Sequence, residues 1–233
     1  MEPRHIFLFF FVMLFFSSCS EDTNQDHCDG TARTVFLEEN GLLVIEAENT
    51  DINGEWMLAN DTSGFTGRGY IQWHGENLFS KPGQDINSYK IQINNPGIYR
   101  FQWRSHINEG NNQTESNDAW LRIPDAEDFY AEKNGNRLYP KGSGKSPNPN
   151  GAGSNGWFKV YMNQKQRWSW QARTSDHDAH NIFVLFDNQG IYTVEIAGRS
   201  RGFAIDRMVF YQNMIATDSA TNIEVPESSF DCQ

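Results

Sequence analysis

Cysteine is scarce in this chain. Its 233 residues include three, and neither a CxxC pair nor an HExxH run accompanies them, so no zinc-site spacing is present. Basic residues are also few, with 19 Lys and Arg against 30 Asp and Glu for a net charge of -11. That balance excludes capture of nucleic acid or other polyanions by bulk charge, and an acidic ligand would need a local basic cluster. Only one apolar run stands out, Ile6 to Phe16. A membrane-spanning helix takes roughly 20 apolar residues, so this run is too short, and no second run approaches that length. No segment keeps a helical apolar period for three turns, and no fixed-period repeat suggests a propeller or solenoid.

What is present begins with an address. Arg4 and His5 precede the apolar run, which ends in Ser17-Ser18-Cys19. A positive end, an apolar centre and small residues before a cut predict a secretory signal over residues 1–18. Phe16-Ser17-Ser18-Cys19 resembles a bacterial lipobox with Phe where Leu is usual, which implies lipidation of Cys19. A plain signal peptide with a chance cysteine is the alternative. Residues 19–34 are polar and acidic, as expected of an unfolded tether. Glu21-Asp22 resembles the surface-export signal of Bacteroidetes lipoproteins, which implies an outer-membrane lipoprotein facing the cell exterior. Its contact with the membrane would run through the lipid only. With Cys19 set apart, Cys28 and Cys232 stand at the two ends of the folded region, in a compartment where disulfides persist. They are expected to pair, closing a loop of about 200 residues worth up to about 5 kcal/mol in the chain-entropy model. Two free thiols are the alternative.

From residue 35 to 233 the pattern is that of one all-β domain. Short alternating runs recur at Leu42–Glu48, Gly69–Trp73, Tyr89–Ile93, Ile98–His106 and Ala119–Ile123, and again from Trp157 to Tyr211. Turn residues such as Asn94-Asn95-Pro96-Gly97 separate them, which predicts an antiparallel β-sandwich. Asp125 to Lys133 is a candidate for one short helix. Residues 134–156, rich in Gly, Asn, Ser and Pro, form an insert long enough to be either functional or disordered.

Two acidic motifs carry a family resemblance. Glu46-Ala47-Glu48 lies on the first strong strand and projects two carboxylates to one face. Asp206 sits within the closing run Phe203–Phe210. With the Gly-rich turn before Tyr70 and the Pro-Gly-Ile-Tyr turn, these motifs resemble, in order, the family 6 carbohydrate-binding modules and their galactose-binding-like jelly-roll relatives over residues 42–211. The resemblance implies a structural Ca²⁺ held by Glu46, Glu48 and Asp206, an oxygen set that suits this hard cation. Arg207 offers an alternative, a salt-bridged carboxylate cluster without metal. The family's aromatic-pair-plus-Asn sugar site is not matched here, so its ligand residues are not carried over.

Strand parity supplies the ligand candidates instead. Tyr99, Phe101 and Trp103 share one face, expected inward, which turns Arg100, Gln102, Arg104 and His106 outward. Likewise Leu121 and Ile123 point inward and Trp120 and Arg122 outward. Trp120, Arg122, Arg104 and His106 form the preferred outward cluster. His177, in the ionisable loop Arg173–Asn181, and Arg199, near the closing turn, complete the ligand candidates. Together with the lipid anchor and tether, the family resemblance implies a monomeric, non-catalytic module that captures polysaccharide for a glycan-utilisation system. Local arginines favour an anionic glycan and the net charge opposes a basic groove; the sequence leaves that choice open. An enzyme is the rival, either a lyase using His106, His177, Tyr70 and Arg104 or a hydrolase using Asp118 and Asp176. A structural adhesin is a third reading.

Overall fold

The computed structural model describes residues 34–232. The signal segment, the lipidation site Cys19 and Cys28 therefore lie outside the described residues. The chain opens with β1 (Thr34–Leu37), β2 (Leu42–Glu46), β3 (Trp56–Ala59), β4 (Tyr70–Trp73) and β5 (Asn87–Ile93). It continues through β6 (Gly97–Ile107), β7 (Asp118–Arg122), β8 (Asp128–Lys133), β9 (Asn136–Leu138) and β10 (Phe158–Tyr161). Two-residue strands β11 (Ser169–Trp170) and β12 (Arg173–Thr174) precede β13 (His180–Phe186), β14 (Gly190–Ala197) and β15 (Phe203–Gln212). A single-turn helix α1 (Thr217–Ala220) and β16 (Phe230–Cys232) close the chain.

Two layers share one core. The first runs β16-β1-β5-β14-β7-β10 and the second β13-β6-β15-β4-β3, with β12 bonded to both β10 and β13 so that the sheet curls over itself. Pairing is antiparallel except between β1 and β5. The alternation seen in the sequence is what buries one face of each layer: Tyr99, Phe101, Trp103, Leu121, Val194 and Ile205 all lie in the common core. The Asn94–Gly97 turn carries the chain from one layer to the other, since β5 pairs with β1 and β14 while β6 pairs with β13 and β15. Buried Glu38 holds that corner. Its carboxylate accepts the backbone N–H groups of Asn94 (2.9 Å) and Asn95 (2.7 Å) as well as that of Gly41.

The outer faces are covered as well, and this overturns part of the parity argument. Residues after β15 fold back over β2 and β15, packing Ile215, Ala220 and Val225 on Val44, Val209 and Tyr211. Trp157, Ile86 and Ala152 cover Trp120 and Ala197 on the outside of β7 and β14. Trp120 is therefore wholly buried, and Arg104, expected outward, is 9 % exposed. A register shift between Ile205 and Arg207 makes Asp206 the extra residue of a β-bulge. Ile205 and Met208 then both reach the core, and Asp206 and Arg207 both leave it.

Residues 128–133 form β8 rather than the expected helix. The segment pairs residue by residue with β13 from Asn181↔Glu132 to Leu185↔Asp128. A nine-residue helix without an apolar stripe has too little to offset the cost of nucleation, whereas the open edge of β13 supplies hydrogen bonds at every second residue. The insert at 134–156 is ordered. It begins as the β8–β9 hairpin and returns to lay Asn150 on Ser175 and Asp176. At the other end of the chain Thr34 pairs with Cys232, so both ends of the fold meet. Cys232 is disulfide-bonded, and its partner lies outside the described residues.

Candidate functional site

A cleft of about 890 Å³ opens at one end of the sandwich. Its floor comes from the strands: Asp118 at the start of β7, and Lys159 and Tyr161 from β10. Its walls come from loops, with Asn77 and Phe79 from the β4–β5 connection, Glu115 to Asn117 from the β6–β7 connection, Asp176 and His177 from the β12–β13 loop, and Arg199 and Ser200 from the β14–β15 turn. A rigid strand floor beneath loop walls is the usual construction of a binding site.

Arg199 is the centre of this arrangement. Its guanidinium lies between two rings, 4.9 Å from buried Trp120 beneath and 5.0 Å from Phe79 above. One guanidinium nitrogen, Nη1, donates to Asp118 Oδ2, and Ser200 Oγ donates to the other oxygen of the same carboxylate. Nε is buried without a partner. Nη2 makes no hydrogen bond within the protein and is not enclosed, so it faces the cleft. Phe79 is 53 % exposed, and a fixed cation lies over its ring. Stacking of this kind holds an aromatic ring at the surface without a hydrophobic socket.

Lys159 Nζ, on the floor, donates to Asp176 Oδ1 in the β12–β13 loop. Asp176 sits between two non-glycine residues in left-handed backbone conformations, Ser175 (φ 71°) and His177 (φ 63°). Such a loop is strained and persists only where neighbours hold it. Here Tyr161 Oη donates to Ser175 O (3.0 Å) and Asn150 N donates to Ser175 Oγ (3.2 Å). The result projects an exposed His177 at the cleft rim.

The six expected ligand residues separate into three places. His177 and Arg199 line the cleft, and Trp120 lies directly beneath it as the bed for Arg199 rather than as an exposed platform. Arg122 is elsewhere, bonded to Glu195 at 2.6 Å with its guanidinium 4.6 Å over Trp157. Arg104 and His106 lie in a further cluster. Arg104 Nη1 meets Asp206 Oδ2 at 2.5 Å, and half-buried His106 packs on Trp168 at 5.1 Å. His106 Nδ1 is enclosed without a partner, and burial pulls its pKa below the usual histidine value. Tyr70, cast above as a lyase base, is fully buried and donates to Asp61. Burial, reinforced by that carboxylate, raises its pKa.

The three carboxylates expected to hold calcium do gather round Thr66 and Gly67, yet two are matched to arginines. Glu46 Oε1 accepts from Arg207 Nε (2.8 Å) and Oε2 from Thr66 Oγ1, while Asp206 accepts from Arg104 and from Thr66 N (2.8 Å). Glu48 Oε1 accepts from Arg68 N (2.7 Å), and Glu48 Oε2 is buried without a partner. Among the described residues no group of three His, Cys, Asp or Glu side chains is disposed to hold a metal ion. Glu46 and Asp206 are thus braced by arginines, while Glu48 keeps one buried oxygen without a partner. Desolvation, with smaller contributions from Glu46 and Asp206, pushes Glu48 up to about 8.

Sequence reasoning missed Phe79 and Lys159 as cleft residues. Each left a trace: a Phe beside the turn formers Ser80-Lys81-Pro82-Gly83, and a lysine inside the otherwise apolar β10, Phe158–Tyr161.

No family model matches this chain, and no curated protein matches it. Similar solved structures include a GH26-CBM35 β-(1,4)-mannanase of Podospora anserina, with 18% identity over 74% of this chain and a TM-score of 0.42. The chain spans 28% of that enzyme's length. Two others are isolated modules. The C-terminal family 6 carbohydrate-binding module of a marine laminarinase from Zobellia galactanivorans shows 14% identity over 73% of this chain and 99% of its own, with a TM-score of 0.38. The family 35 module from Paenibacillus barcinonensis shows 15% identity over 73% and 98%, with a TM-score of 0.39. The functional reading of this chain rests on its cleft.

Proposed function

We propose that this protein is a surface-displayed, non-catalytic carbohydrate-binding lipoprotein, and that the Phe79–Arg199 cleft holds the sugar. The observation that carries the reading is the exposed Phe79 ring beside a fixed set of donors and acceptors. A pyranose presents an apolar C–H face and a rim of hydroxyls, so it needs a flat apolar surface flanked by polar groups that do not move. Phe79 supplies the surface. Arg199 Nη2, Lys159, Asp176 and Asn163 supply the polar rim.

A hydrolase is less well served by the same groups. Asp118 and Asp176 share the cleft, but each has an oxygen engaged by a basic side chain, Arg199 and Lys159 respectively. A hydrolytic pair needs one carboxyl free to give a proton and one free to take or attack. The location of the domain is proposed from the sequence: a lipid on Cys19, a polar tether, and a monomeric domain stapled by Cys28 to Cys232, acting within a glycan-utilisation system at the cell exterior.

Affinity electrophoresis in gels containing soluble polysaccharides tests the site. Phe79→Ala removes a ring that packs little of the core, so the fold should keep its melting temperature. Retardation should weaken by roughly fivefold, the equivalent of about 1 kcal/mol of ring stacking. Unchanged retardation would place the sugar elsewhere. Release of reducing ends or of unsaturated products from a retained polysaccharide would replace the binding module with an enzyme.

A further inference from the structure

The proposed sugar site has a charge pattern that the sequence left undecided. Arginines and lysines near the loops suggested an acidic glycan, but in the fold those side chains are already matched. In the cleft, Arg199 is held by Asp118 and Lys159 by Asp176. Outside it, Arg201 meets Glu109 (3.3 Å), Arg122 meets Glu195 and Arg104 meets Asp206. On the insert, Arg137 meets Glu132 (3.0 Å) and Lys145 meets Asp128 (2.9 Å).

We infer that the cleft selects an uncharged glycan and discriminates against uronate-rich or sulfated ones, an inference that rests on the sugar-binding reading above. The residues lining the cleft include three carboxylates, Glu115, Asp118 and Asp176, against two fixed cations, Lys159 and Arg199. A carboxylate or sulfate on the ligand could reach Arg199 only at Nη2, on a guanidinium whose charge Asp118 already offsets, or would have to displace Asp176 from Lys159. It would also approach Glu115 within a protein of net charge -11. Like charges brought together in this way reject a ligand without any steric clash. Hydroxyl groups face no such conflict. The Lys159–Asp176 pair offers them a donor and an acceptor side by side, and Arg199 Nη2 adds a further donor. A vicinal diol can donate a hydrogen bond to the carboxylate and accept one from the ammonium without separating the pair.

The test measures affinities of the full chain for neutral β-glucan, mannan and xylan against alginate, polygalacturonate and a sulfated galactan, by affinity electrophoresis and titration calorimetry. The expected result is a neutral polysaccharide as the tightest ligand, with acidic ones at least roughly tenfold weaker. Its Kd should change less than about twofold between about 0.02 and about 0.5 M NaCl, because the contacts are not ionic attraction. Asp176→Asn releases Lys159 from its partner and should raise affinity for the acidic polysaccharides by roughly tenfold at the lower salt. Tightest binding to an acidic polysaccharide, weakened by salt, would overturn the inference and leave the sugar-binding reading standing. Failure of Asp176→Asn to gain acidic binding would also count against it. Binding to none of the six would overturn both.

Discussion

Glu48→Gln gives the sharpest test of the buried acidic cluster. Glu48 is 1 % exposed, one of its oxygens has no partner, and its pKa is pushed from 4.5 up to about 8 by desolvation. A carboxyl whose pKa is raised by folding binds more protons in the native state than in the unfolded chain. Its contribution to stability is therefore greatest below pH 4.5 and is lost progressively as the pH rises to about 8. At about 1.4 kcal/mol per tenfold change in acidity, the full cost above that range is roughly 4–5 kcal/mol. Glu227 reaches the same cluster from the C-terminal segment, accepting Glu46 N at 2.8 Å, and burial raises it to about 7. It acts in the same direction, though the two costs do not add fully because both groups neighbour Glu46. Glutamine keeps the acceptor for Arg68 N and cannot ionise. Thermal melts followed by circular dichroism between pH 5 and pH 9, in EDTA and in CaCl₂, should show the wild type losing stability as the pH rises. Glu48→Gln should be nearly equal to it at pH 5 and higher by up to roughly 10 °C at pH 8, at 2–4 °C per kcal/mol. The reasoning fails if Glu48→Gln lowers the melting temperature at pH 8 while CaCl₂ raises that of the wild type. That pair of results would mean the carboxylate is charged and faces a cation.

Three further outcomes follow from the same contacts. Trp120→Ala should cost about 3–5 kcal/mol in denaturant unfolding, because the ring is fully buried, and should weaken sugar binding in whatever fraction remains folded, since Arg199 loses its bed. Arg104→Ala strands Asp206, a carboxylate with no exposure of its own, and should cost about 3–5 kcal/mol at neutral pH with partial recovery on acidification; a loss below about 1 kcal/mol would show the pair to be dispensable. Cys232→Ser should lower the melting temperature by several degrees, and the wild type should run faster on non-reducing than on reducing gels if Cys28 is the partner.

The strand pattern was legible because its cause is local. Side chains alternate every residue on a strand, so Tyr99, Phe101 and Trp103 could be assigned inward from their spacing alone, and all three are fully buried. The bulge at Asp206 was not legible, because it depends on how β15 registers against β6. Residues 128–133 misled for a similar reason: their strand state is supplied by β13, about 50 residues later. The cleft was half visible. His177 was found through the ionisable density of its loop and Arg199 through its place near the closing turn, while Phe79 stood alone in a loop and gave no periodic signal.

By itself the chain determined its class: many short alternating runs broken by turn formers can bury an apolar face only as stacked sheets, and the scarcity of basic residues set the overall field. Tertiary structure decided which outward faces would stay open. Parity turns Trp120 away from the shared core, and only the arrival of Trp157, Ile86 and Ala152 closes it off. It also decided the charge of the site. Arg199 finds Asp118 81 residues away, and Arg104 finds Asp206 102 residues away. A cation's partner is chosen by proximity in space, and no spacing along the chain records it.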